Sequence, residues 1–371
     1  VIPPPSPRGP RLRDLGLRIG NLQSGPHDAI TDVPGVTVGH VTVWRDEPDP
    51  PDGRGVGRTG VTVVAPGPQR ELLEASIAAG MAVLNGAGEL TGSLQIAEWG
   101  LLETPVYLTS TMQVGRIYDG AVDVAVAAHA AVGVDRVVIP VVGECDDSWL
   151  NEARVAQVEP ADAGQALTEA SDGAVPEGCV GAGTGMTALG WKGGIGTASR
   201  VVDAVGATVG VLVLANFGSA RDLRIDGVPA GETLGSGVDE PPAPAGSCIA
   251  IVATDAPLAP AQLQRVARRC GLGLARTGSM AHHGSGEIFL AFSNTARVAY
   301  EERRTRVDVT TVPDSLLDDV FAATVEATEE AVLNALWAAV DTPGRGGRVA
   351  RALPHEATLG LLERHGRIGR A

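Results

Sequence analysis

Aromatic residues supply only 3% of this 371-residue sequence, so its core must be closed by small aliphatic side chains rather than by large rings. Basic residues are also scarce: 29 Lys and Arg stand against 44 Asp and Glu, a formal net charge of −15. That balance argues against a nucleic-acid partner, whose phosphate backbone needs positive charge. The four cysteines, Cys145, Cys179, Cys248 and Cys270, are scattered without a C-x-x-C pair. They indicate neither a zinc site nor a disulfide framework, and a reducing, cytoplasmic compartment is expected. The seven histidines form no H-E-x-x-H or comparable spacing, so no metal or other cofactor is expected. No apolar run reaches the length of a membrane span or a signal peptide, and a membrane partner is not expected. The chain opens on Val1 rather than Met, which leaves removal of an N-terminal segment an open alternative.

What is abundant is Ala, Val and Leu within a 44% hydrophobic composition, together with 49 Gly and 25 Pro. This is a turn-rich globular chain with close backbone packing. The alternation over residues 30–43 about Pro34-Gly35 predicts paired strands, and residues 61–65 a further strand beyond a charged loop. Residues 91–103 suit a helix, 105–110 a strand, 117–132 an alanine-rich helix and 137–142 a strand. Helix and strand thus alternate, with strands buried on both faces. Residues 155–175 are partly helical, and 207–216 form a strongly apolar strand ending in Asn216. A hairpin at 223–228 and a linker over 235–245, its tip exposed, follow. Residues 248–253 are a strand, 259–274 and 315–340 helices, and the basic tail to Ala371 a surface segment.

The segment that organises the chemistry is the proline-rich run ending in Gly246-Ser247, which passes directly into the apolar strand. A serine opening a strand can attack the carbonyl before it and form an ester that water hydrolyses, and Gly246 keeps the approach unobstructed. Cleavage there would make Ser247 a new N-terminus, with nucleophile and α-amine on one residue. An α-amine has a reference pKa of about 8, low enough to serve as base near neutrality. The alternative is an ordinary linker entering an ordinary strand. Asn216, at the end of a buried strand, is placed to donate to an oxyanion, or else to form a turn. Ser285 and Glu287, two apart at a strand entrance, share a face and can share a site.

Two other motifs invite chemistry. The glycine-dense stretch 181–197 satisfies G-x-G-x-x-G only in a relaxed form and lacks the Gly-Lys-Ser/Thr of a P-loop. Its glycines otherwise serve close backbone approach. His282-His283 suggest a Ser-His-Asp triad, but no G-x-S-x-G elbow occurs.

Taken in order, Gly35-Val-Thr-Val-Gly-His40, Asn85-Gly-Ala-Gly-Glu89 with Thr91-Gly92, Lys192-Gly-Gly-Ile-Gly-Thr197, residues 211–218, Gly246-Ser247, Val252-Ala-Thr-Asp-Ala-Pro-Leu258, residues 284–293 and Ala352-Leu-Pro-His355 resemble the self-processing L-aminopeptidase/D-amino-acid esterase family, which includes the β-aminopeptidases. The resemblance implies an α/β/β/α sandwich like that of N-terminal-nucleophile hydrolases but differently connected. It also implies a single catalytic domain, 1–371, self-cleaved into 1–246 and 247–371, and a homo-oligomer of the cleaved pairs. Carried over residue by residue, Ser247 is the nucleophile, Asn216 the oxyanion donor, and Ser285 and Glu287 the pair that tunes it. Glu144 would bind the substrate's ammonium. Where close relatives carry Glu-Thr-Tyr-Asp-Gly, this chain has Glu144-Cys-Asp-Asp-Ser148, so a carboxylate replaces an assisting phenol. The expected activity is hydrolysis of short peptides, aminoacyl amides or esters through an acyl-enzyme on Ser247. The rivals are an ornithine-acetyltransferase-like acyltransferase, whose family uses threonine at the nucleophile, and a non-enzymatic small-molecule binding protein.

Overall fold

The computed structural model describes residues 9–238, 246–300 and 308–369. Its strands form two main sheets. The first joins β1 (Thr37–Asp46), β2 (Val56–Ala65), β5 (Val106–Ser110) and β6 (Val141–Cys145) in the order β1-β2-β5-β6. The second contains β3 (Ala75–Gly86), β4 (Leu101–Leu102), β9 (Gly194–Val202), β10 (Ala207–Asn216), β11 (Ser247–Thr254) and β12 (Gly286–Ala299). Its order is β4-β3-β12-β11-β10-β9. Two-residue strands β7 (Thr187–Ala188) and β8 (Trp191–Lys192) make one small ribbon, and β13 (Thr342–Pro343) and β14 (Val349–Ala350) another. The helices are α1 (Gln69–Glu74), α2 (Ser93–Trp99), α3 (Val114–Ala128), α4 (Ala161–Thr168), α5 (Ala230–Leu234), α6 (Pro260–Arg276), α7 (Leu317–Ala338) and α8 (His355–Arg364).

Side-chain alternation explains the layering. Along β11, Ile249, Ile251 and Ala253 point into the core between the two sheets, where they meet Val64, Leu108 and Val141. Cys248, Ala250 and Val252 point the other way, into the core under α6 and α7. On the far side of the first sheet, Val61, Val63, Tyr107 and Val142 pack against Ile117 and Ala121 of α3 and Ala163 and Ala166 of α4. Helices, sheet, sheet, helices: the α/β/β/α sandwich expected from the sequence is present.

Helix α7 is buried along almost its whole length, which is possible because the sheet beneath it is smooth. A Cβ at Gly196 in β9 would collide with the Ala331 carbonyl of α7, so only glycine allows this approach. Polar residues of α7 are spent on specific bonds; Asn334 Nδ2, for example, donates to the Thr197 carbonyl at 2.9 Å.

Several expectations need correction. Residues 30–43 do not form a hairpin about Pro34-Gly35: Ile30–Asp32 is a 3-10 turn, and β1 pairs instead with β2. The strand placed at 137–142 begins only at Val141; residues 137–140 have no regular structure, and Val138 packs against the cluster of Leu73, Ala125 and Val132. The hairpin at 223–228 shrinks to a tight turn closed between Ile225 and Val228, with Asp226 and Gly227 both at positive φ. The C-terminal tail is no mere surface segment. It contains α8, whose Leu361 and Leu362 are buried in the core, while His355 stacks on Trp337 of α7 at 3.5 Å. The linker expected over 235–245 lies, from residue 239 on, outside the described residues, and with it the expected exposed tip.

Candidate active site

Three strand ends meet at one edge of the inter-sheet core. Ser247 opens β11 opposite Asn216, which closes the antiparallel β10. On its other side it pairs with Gly286 of the parallel β12, between Ser285 and Glu287. Antiparallel pairing with one neighbour and parallel pairing with the other therefore gathers four residues scattered over 72 positions of sequence. Ser247 is 6% exposed and Asn216 5%. The Gly246 carbonyl accepts a hydrogen bond from the Gly286 N–H at 3.0 Å. A Cβ on Gly246 would collide with the Asn216 carbonyl, so the chain entering the strand must be glycine there.

The Asn216 amide is held at both ends. Its Oδ1 accepts from the Thr187 N–H at 2.9 Å, and its Nδ2 donates to the Asp146 carbonyl at 2.8 Å. These partners fix which way the amide faces and leave one Nδ2 proton uncommitted. A preorientated, partly desolvated N–H at a strand end is suited to meeting developing negative charge.

Ser285 donates its hydroxyl to Glu287 Oε1, so the two share one site as their spacing predicts. Glu287 is fully buried and its Oε2 has no hydrogen-bond partner among the described residues. Burial pushes its carboxyl above the ordinary carboxylate range, opposed by the Ser285 hydrogen bond. A bulge in β3, with Asn85 opposite Glu287 but Val83 opposite Ile288, lies beside this residue. Such irregularities re-aim side chains locally. Asn85 Nδ2 in turn donates at 2.8 Å to the His282 carbonyl, which also accepts from the Ser285 N–H. The His282-His283 pair thus contributes backbone to the turn before Ser285.

Glu144, at the end of β6, lies across the cleft. Its Oε1 accepts from the Glu89 N–H at 2.9 Å and its Oε2 from the Thr111 hydroxyl, while burial raises its pKa. A cleft of about 510 Å³ opens over Gly246 and Ser247, with Glu144, Glu89, Thr111 and Asp146 in its lining. Asp146 is exposed and accepts from the Ser148 N–H at 2.9 Å. Among the described residues no cluster of His, Cys, Asp or Glu could hold a metal ion, and no helix is long and apolar enough to cross a membrane.

Every site residue expected from the sequence therefore lies in one neighbourhood. What the sequence did not disclose are the groups acting through their backbone: the Thr187 and Gly286 N–H groups and the Asp146 carbonyl. Only the glycine density of 181–197 hinted that a loop closes on the site.

A four-layer sandwich with a serine opening a central strand is the architecture of hydrolases of the N-terminal-nucleophile type. Residues 28–350 match the model of peptidase family S58. The chain is 38% identical to the beta-peptidyl aminopeptidase BapA of Sphingosinicella microcystinivorans, over 99% of this chain and 95% of that protein. Among solved structures, a beta-aminopeptidase of Burkholderia sp. aligns with a TM-score of 0.88 at 41% identity, covering 97% of this chain and 99% of that one. The L-aminopeptidase D-Ala-esterase/amidase of Ochrobactrum anthropi, described as a variant of the Ntn hydrolase fold, aligns at 0.91 and 39% identity, covering 97% and 100%. The chain belongs to peptidase family S58, and it is a hydrolase of the aminopeptidase and amidase-esterase kind.

Proposed function

We propose that the chain cuts itself between Gly246 and Ser247, and that 1–246 and 247–371 then act together as one catalytic unit. The observation that carries this reading is the placement of a strand-opening serine against Asn216 on one side and the Ser285-Glu287 pair on the other, beneath an open cleft. In the cut enzyme, Ser247 Oγ attacks the substrate carbonyl and the Ser247 α-amine takes the proton. The free Nδ2 proton of Asn216 stabilises the oxyanion. As it collapses to the ester on Ser247, the bond to the leaving amine or alcohol breaks and the α-ammonium gives that group its proton. Water, deprotonated by the same amine, then hydrolyses the ester and restores the Ser247 hydroxyl. The Oε2 of Glu287, without a hydrogen-bond partner among the described residues, supports a role beside the new ammonium, which a carboxylate would stabilise. Glu144 and the acidic cleft around it suit a substrate with a free amine: a short peptide, aminoacyl amide or ester. Four buried, unpaired cysteines support a cytoplasmic setting. Exposed apolar side chains outside the cleft, Val83, Leu84 and Leu94 among them, support assembly of the cut pairs into a homo-oligomer.

Turnover of aminoacyl p-nitroanilides, beside their N-acetylated counterparts, tests the specificity. Hydrolysis of the free-amine series alone is expected; equal rates for both would remove Glu144 as an ammonium site. Acyl transfer to an added amine in preference to water would favour the acyltransferase instead.

A further inference from the structure

Lys192 is completely buried, a heavy desolvation cost for an ammonium group. Its three N–H bonds go to three backbone carbonyls: Gly183 at 3.0 Å, Met186 at 2.7 Å and Gly193 at 2.9 Å. This exhausts its donors. The Met186 carbonyl also accepts from the Gly193 N–H at 3.0 Å, so its oxygen is pinned by two donors.

The other end of that same peptide unit is the Thr187 N–H, which donates to Asn216 Oδ1. A continuous path therefore runs from the Lys192 charge, through the Met186-Thr187 peptide, to the Asn216 amide. A cation on a peptide's oxygen makes its N–H a stronger donor, and a stronger bond to Oδ1 in turn strengthens the remaining amide N–H bonds. Holding up the loop would require only the donors; the positive charge is what the path transmits.

We propose that Lys192 is a positioning residue for the reaction, orienting and polarising the Asn216 amide through the Met186-Thr187 peptide. The proposal rests on the reading of Asn216 as oxyanion donor. Lys192 touches no substrate; its effect belongs to the transition state and so to kcat.

A double-mutant cycle tests it. In otherwise intact, cut enzyme, Lys192→Met is expected to lower kcat about 10- to 100-fold with KM changed no more than about two-fold. In an Asn216→Ala background the same substitution is expected to add less than about three-fold, because the group it acts on is gone. Lys192→Gln keeps two donors without the charge and should fall between wild type and Lys192→Met. Equal losses from Lys192→Met in both backgrounds would overturn the proposal, as would wild-type kcat in Lys192→Gln. If Asn216→Ala alone leaves kcat unchanged, the oxyanion reading fails, and the proposal with it, by a result visible before Lys192 is touched. Where a variant arrests as the uncut chain, the cycle is read on its cutting rate. Absence of folded protein for both Lys192 variants would assign the residue to the fold alone.

Discussion

Gly246 shows most directly how one residue links packing to chemistry. Its missing side chain lets the incoming chain lie against the Asn216 carbonyl, and its own carbonyl is held by the Gly286 N–H. Gly246→Val should therefore push the incoming chain off the Asn216 carbonyl and slow the cut, seen as persistent full-length chain on a denaturing gel; wild-type cutting would show that the approach is less confined. Asn216→Ala should lower kcat by about 10²–10³-fold if its amide meets the oxyanion. A change confined to KM would place it in substrate binding. For Glu287 the sign follows from charge: its carboxylate favours the Ser247 ammonium and so raises the amine's pKa. Removing that charge by Glu287→Gln lowers the amine's pKa, and the free base persists further into acid. The acid limb of the pH–rate profile should move to lower pH in cut protein. An unmoved limb would separate Glu287 from the base and return it to supporting the strand entrance.

Elements were legible where their own composition decides them. The apolar run of β10 ends at Asn216 as read, and α6 begins at Pro260 within a residue of its expected start. Strands β3 and β9 were not legible: alanine and glycine make up half of β3, and Gly194 and Gly196 break the start of β9, where neither residue type favours a strand. They are strands because the sheet and α6 or α7 press against them, and their small residues are the condition for that contact. The pairing of β1 with β2 across the charged loop, and the burial of α8, are tertiary facts without a local signal. At the site, side chains were legible and backbone donors were not, since a backbone N–H has no residue identity to read. A different limit hid Arg200 of β9, since an arginine in the sequence does not disclose that the fold buries it. It is 1% exposed and bonds Glu326 and Glu330 of α7 together with the Ile19 carbonyl. Arg200→Ala would leave two buried carboxylates without their counter-ion, and a loss of about 3–5 kcal/mol is expected. Denaturant melting measures it; a loss below about 1 kcal/mol would mean that the cluster is solvated like a surface pair.

Across the whole molecule, the sheet order explains how a cut chain can stay one object. Strands β11 and β12 follow Ser247 in sequence yet lie in the interior of the six-stranded sheet, between β3 and β10. Helices α6 and α7, also beyond Ser247, cover that sheet. Cutting at Gly246-Ser247 thus frees an end without freeing an element, and the two pieces should separate only on unfolding. Chelators should leave activity unchanged, given the absence of a ligand cluster among the described residues; loss of turnover restored by one metal would contradict this. The central claim is that Ser247 becomes an N-terminal nucleophile, and N-terminal sequencing of the smaller band from denatured active protein tests it most directly. The account predicts two bands, of about two-thirds and one-third of the chain, a smaller band beginning Ser-Cys-Ile-Ala, and a single uncut band from Ser247→Ala. Active protein that runs as one full-length chain, or a smaller band with any other start, would contradict it.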